Sequence, residues 1–235
     1  MRFDEHELLE LQKKIGMQAV LSSRRSPEQI KYIAGFDVAF VGGQMVCAAV
    51  VLDFKTLTVV ERKHSVGRPQ MPYISGFRAF RDGPAIIQTY YDIEHEPDVL
   101  MVSGHGVAHQ NKCGLATYVG VELEKPAIGV AKSLTNGKIE GSGVLVDNEV
   151  RGVLLQTRQH AKSVIVSPGH LMSISDAASV VQHCIIPPHK LPEPLHAAHK
   201  VARQVLAQLM HGDVKVEESD DFEEGGLEEF NKMVL

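Results

Sequence analysis

Residues 31–66 read KYIAGFDVAFVGGQMVCAAVVLDFKTLTVVERKHSV. They contain three apolar runs, KYIAGFDVAFV, QMVCAAVVLDF and LTVVERKHSV, of the β-branched and aromatic kind that favours strands. Gly42-Gly43 separates the first two with the spacing of a tight hairpin, and Lys55-Thr56 separates the second from the third. An antiparallel three-stranded meander is expected to open the fold.

Upstream, Leu8, Leu9, Leu11, Ile15, Val20 and Leu21 recur at helical spacing, which predicts an amphipathic helix over 4–22. Downstream, helices and strands alternate. Helices are expected over 84–94, 115–122, 175–183 and 194–211. Strands are expected in DVLMVSG, PAIGVA, GSGVLVD, VRGVLLQT and SVIVSP, the third and fourth joined as a hairpin around Asn148. A meander followed by β-α-β units means an α/β fold, a mixed sheet with helices on both faces.

Composition fits one such domain: 235 residues, 44% hydrophobic and 23% charged, with no apolar run long enough to span a membrane. The acidic, amphipathic N-terminus resembles neither a signal nor a transit peptide, so a cytoplasmic protein is expected. Cys47, Cys113 and Cys184 are widely spaced and lie in apolar surroundings, which predicts buried, reduced thiols. The formal net charge of −5 is uneven: nine acids against two lysines in 213–235 give that stretch −7 and leave +2 on 1–212. The expected division is therefore a folded domain over 1–212 and an acidic, disordered, solubilising tail over 213–235. The mildly basic body permits phosphate contact.

Certain residues stand out chemically. Alternation in IAGFDVAF puts Ile33, Gly35, Asp37 and Ala39 on one face, so Asp37 is a lone carboxylate in an apolar strand. That costs several kcal/mol unless the group is paired with a nearby lysine or arginine or binds a cation. In MPYISGFRAFRDGPAI, Gly83-Pro84 reads as a helix start, with Asp82 as an acid favouring the helix dipole. Tyr73 is either an ordinary aromatic or a wedge that inserts between bases. SGHG at 103–106 follows a buried strand, a common place for a ligand site. His105 and His109 lie four apart, weak evidence for zinc because Gly106 argues against a helix there. Lys132 follows another buried strand, His170 precedes a helix that Ser173 or Ser175 could cap, and LPEP at 191–194 is a rigid lead into the last helix.

Taken in order, IAGFDVAF, PYISGFRAFRDGP, SGHGVAHQNKCGLATYVGV, IGVAKS, SPGHLMSIS and LPEP resemble endonuclease V across residues 1–210. The resemblance implies a ribonuclease H-like fold and magnesium-dependent hydrolysis of a phosphodiester on the 3′ side of deoxyinosine or inosine, with manganese as a substitute ion. It implies metal ligation by Asp37 and Asp82, and a catalytic group completed by Ser103, Lys132 and His170. It places Tyr73, Gly76, Gly104 and His109 against the substrate. It further implies an inosine-containing nucleic acid as partner, no membrane, and a monomer. Two positions depart from the family pattern. Asp82 stands for the glutamate of FREG, and Ser103 for the aspartate of VDGHG, which removes a charge. The second departure raises an alternative, a weakened or inactive relative that binds nucleic acid without cutting it.

Overall fold

The computed structural model describes residues 4–158 and 162–211. Helix α1 (Glu5–Gln18) begins at Asp4, whose carboxylate accepts the His6 N–H at 2.8 Å, and stops four residues before the sequence pattern suggests. The meander follows as β1 (Tyr32–Val41), β2 (Gln44–Asp53) and β3 (Val59–Gly67), all antiparallel. Gly42 and Gly43 both take positive φ, as the tight hairpin requires. Then come α2 (Arg78–Tyr91), β4 (Val99–Ser103), α3 (Leu115–Glu122) and β5 (Ala127–Ala131). The remaining elements are β6 (Lys138–Glu140), β7 (Gly143–Val146), β8 (Glu149–Leu155), β9 (Val164–His170), α4 (Ile174–His183) and α5 (Glu193–His211).

Among the described residues the strands form one sheet in the order β3-β2-β1-β4-β5-β9-β8-β7-β6. β1, β4 and β5 run parallel, and β9 returns antiparallel to β5. Strand alternation divides the core. Ala34, Phe36 and Val38 join the cluster under α1, α2 and α3, whereas Ile33 packs with residues of α4 and α5 on the opposite face. The three cysteines are buried and free, and burial pushes each thiol up to about 12.

One element departs from the sequence expectation. α2 begins at Arg78, six residues before the proline read as its start, and Pro84 lies inside it. Proline there removes one N–H, the donor that would meet the Phe80 carbonyl. The helix continues because Ala79, Asp82, Gly83, Ile86 and Thr89 make an unbroken buried face. Gly83 serves packing rather than a turn: a Cβ there would run into the Tyr118 ring of α3.

The expected boundary at 212 and the tail 213–235 lie outside the described residues. No helix of the described residues is long and apolar enough to cross a membrane.

Candidate active site at the carboxyl edge of the parallel strands

The parallel registers set the site. Phe36 pairs with Val102, so Asp37 and Ser103 are the next residues on neighbouring strands. Ser103 pairs with Val130, and Lys132 follows two residues later. Asp37, Ser103 and Lys132 therefore emerge at one sheet edge, and α5 supplies a fourth group. Gly35 lets the first turn of α5 approach β1 closely: a Cβ there would overlap the Pro194 carbonyl and stand 2.8 Å from the Pro194 Cβ. From Gly35 to Asp37 is roughly 7 Å of strand. From Pro194 to His199 is about 7.5 Å of helix. The matched lengths bring His199 onto Asp37, where the His199 ring Nδ1–H donates to Asp37 Oδ2 at 2.7 Å. Asp37 is buried and His199 partly exposed. Sequence reading singled out Asp37 and missed its partner, which is a histidine rather than a lysine or arginine.

The structure pairs Asp82 with two arginines. It sits in the second turn of α2, fully buried, with Oδ2 accepting Arg78 Nε–H at 2.6 Å and Oδ1 accepting Arg81 Nε–H at 2.7 Å. Both oxygens are thus engaged by guanidinium groups among the described residues. Arg81 in turn lies under two rings, with its Cζ 4.1 Å from the Phe40 centroid and 5.0 Å from that of Tyr73. Tyr73 itself is 65% exposed, which disposes of a core role.

The glycines line the loops beside this edge. Gly76 takes φ +87°, and its carbonyl accepts the Gln12 side-chain amide at 2.8 Å. Fully buried Gln12 also accepts from Asn111 Nδ2 at 2.9 Å, tying α1 to both loops. Gly104 donates its N–H to the Val130 carbonyl at 3.0 Å. His109 is buried, its Nδ1 bonded to the Gln110 carbonyl at 2.7 Å, and burial holds its pKa below the usual histidine value. Burial also lowers His105, to about 4, with His109 and Arg78 adding repulsion. His105 Nδ1 is buried and has no hydrogen-bond partner among the described residues. Among the described residues no group of three His, Cys, Asp or Glu could hold a metal ion, so the zinc alternative at His105 and His109 gains no third ligand.

His170 lies at a different place in the sheet. β9 is antiparallel to β5 and pairs His170 with Ala127, at the strand's opposite end. That is roughly 16 Å of strand away from position 132. There His170 Nδ1 accepts the Val20 N–H at 3.3 Å, beside Arg24 and Glu124, and burial lowers its pKa. It is not part of the edge that gathers Asp37, Ser103 and Lys132.

The endonuclease V family model matches residues 13–200. The chain belongs to the endonuclease V family. Endonuclease V of Geotalea uraniireducens is 39% identical over 193 residues, covering 79% of this chain and 82% of that protein. Endonuclease V of Dictyoglomus thermophilum is 32% identical, covering 88% and 93% respectively. The crystal structure of the Bacillus subtilis endonuclease V superposes with a TM-score of 0.80 at 31% identity, covering 91% of this chain and 96% of that one. The Ciona intestinalis endonuclease V, in complex with a 24mer DNA containing an inosine followed by a ribo-adenosine, gives 0.80 at 26% identity, with 88% and 100% covered. As a member of the endonuclease V family the protein is a nuclease, a hydrolase, on a ribonuclease H-like fold.

At this edge Asp37 offers an ion a carboxylate oxygen. Asp37 Oδ1 has no protein partner among the described residues, and magnesium is commonly held by one or two carboxylates with water and substrate phosphate. The donor set fits that minimum through Asp37, with the Ser103 hydroxyl on the adjacent strand as a neutral acceptor.

Proposed function

We propose that the chain hydrolyses a phosphodiester on the 3′ side of deoxyinosine or inosine in nucleic acid, with Mg²⁺ as its ion and Mn²⁺ as a substitute. The observation that carries this reading is the family match over residues 13–200. The inosine-containing DNA bound by the Ciona relative supports the substrate.

Asp37 would hold the ion, which when bound supplies a Lewis acid and neutralises charge on the phosphate. His199 fixes the orientation of the Asp37 carboxylate through its 2.7 Å hydrogen bond. The Ser103 hydroxyl orients water from the neighbouring strand. Lys132, exposed just beyond β5, supplies a positive charge for the phosphate. Tyr73 stands out from its loop as the wedge, and the Gly76 and Gly104 backbones, beside His109, floor a base pocket into which the inosine turns out of its stack. The protein works as a cytoplasmic monomer, with 213–235 as an acidic appendage to a domain over 1–212.

A second reading rests on a specific observation: Ser103 brings no carboxylate, and Asp82 is sealed by two arginines. It is a relative that binds inosine sites and cuts them slowly or not at all. Single-inosine DNA and RNA strands and inosine-free controls, incubated with magnesium and then manganese, test the main reading. One cut on the 3′ side of each inosine is expected. No cutting of either strand at enzyme excess with both ions overturns it in favour of the second.

A further inference from the structure

Asp82 offers one negative charge to two guanidinium groups, so one positive charge is left over. Arg81 is largely covered, with its side chain 14% exposed beneath Phe40 and Tyr73, whereas the Arg78 side chain is 40% exposed. Arg78 uses Nε for Asp82, and its two terminal nitrogens have no protein partner among the described residues. Nη1 lies 3.6 Å from where a Cβ on Gly104 would stand, so the guanidinium reaches the loop that leaves β4 beside Ser103. No carboxylate at 103 answers it. Lys132 ends β5 on the same edge and forms no ion pair among the described residues. This edge therefore carries unmatched cations in a protein whose formal charge is −5.

We infer that Arg78 is a phosphate-binding residue, with buried Asp82 as the anchor that orients it toward a backbone phosphate of the bound strand. The inference rests on the reading that nucleic acid lies across this edge. A guanidinium fixed through Nε still presents its planar pair of terminal N–H groups, the geometry that meets two phosphate oxygens at once. Anchoring by a carboxylate that no solvent reaches removes much of the rotamer freedom such a contact would otherwise cost. The contact is to the backbone, so it positions the strand without reading its sequence.

The test is binding of the full chain to labelled single strands, with and without inosine, in EDTA across a salt series. Arg78→Gln is expected to weaken both strands alike by about tenfold, and to make the slope of log affinity against log salt shallower by about 0.7. Lys55→Gln, at the opposite sheet edge, is expected to leave both quantities near the wild-type values. Arg78→Lys keeps a point charge but not the planar fork, so it should keep the slope and lose severalfold in affinity. Thermal melting checks that each variant is folded, and the lysine variant carries the test if the glutamine variant is not. A wild-type slope in Arg78→Gln, wild-type affinity in Arg78→Lys, an equal loss in Lys55→Gln, or no binding by the parent chain each overturns the inference. If the parent chain binds but cuts no inosine strand once metal is restored, the proposed function fails while the slopes still decide the role of Arg78.

Discussion

His105 shows how a residue's surroundings decide its charge. It is largely buried in the loop leaving β4, and burial, followed by repulsion from His109 and Arg78, brings its pKa down to about 4. An unfolded histidine titrates near 6.5, so over the interval between the two values the unfolded chain binds the extra proton. The contribution is therefore fully present above about pH 6.5 and is lost as the pH falls toward 4. On the order of 3 kcal/mol is at stake for such a shift. Melting temperature measured across this interval should fall more steeply for the parent protein than for His105→Gln; equal slopes would assign the acid sensitivity elsewhere. Residue chemistry was the most legible part of the sequence. Asp37 stood out because a lone carboxylate in an apolar strand needs a partner. That partner, His199, lies 162 positions away, and nothing local separates it from His196 or His211 on the same helix. Asp82 was equally visible, yet its sealing by Arg78 and Arg81 depends on where α2 begins.

At the scale of elements, the close approach of β1 and α5 is what assembles the Asp37–His199 pair. Gly35 has no room for a side chain because the Pro194 backbone occupies it. Gly35→Ala should therefore destabilise the fold by about 1–3 kcal/mol, the usual cost of overpacking, although alanine in a strand otherwise spares backbone entropy. It should also slow cleavage by displacing His199 from Asp37. Urea denaturation with a parallel single-turnover assay checks both, and an unchanged midpoint would mean that α5 does not rest on Gly35. Strong periodicity and turn chemistry made most elements readable. α3 falls on Leu115–Glu122 as its pattern suggests, and the β7–β8 hairpin turns on Asp147 and Asn148, both with positive φ. β6 was missed because its three residues, Lys138, Ile139 and Glu140, are all exposed and give no alternation signal. α2 was started too late because Gly83-Pro84 looks like punctuation, when the glycine accommodates Tyr118. The placement of His170 was not legible in the sequence. SPGH closes an apolar run much as SGHG does, and only the antiparallel pairing of β9 with β5 puts it at the opposite edge.

Across the whole molecule, charge is divided between a body of formal +2 over 1–212 and a −7 stretch over 213–235. If that stretch is an appendage, truncation after residue 212 should leave the melting temperature nearly unchanged and strengthen nucleic-acid binding at low salt. The gain should close above about 0.3 M salt, where screening shortens the reach of exposed charge to several ångströms. A large drop in melting temperature would instead make the stretch part of the folded domain. The topology places Asp37, Ser103 and Lys132 at one edge, so the central claim concerns chemistry at that edge. Single-turnover cleavage of a strand carrying one inosine, by the parent protein and by Asp37→Asn, tests it most directly. The parent protein should cut once on the 3′ side of the inosine, and the variant should do so at least about a hundredfold more slowly while melting at a similar temperature. Cleavage by Asp37→Asn at the parental rate, or cutting that ignores the inosine, would contradict it.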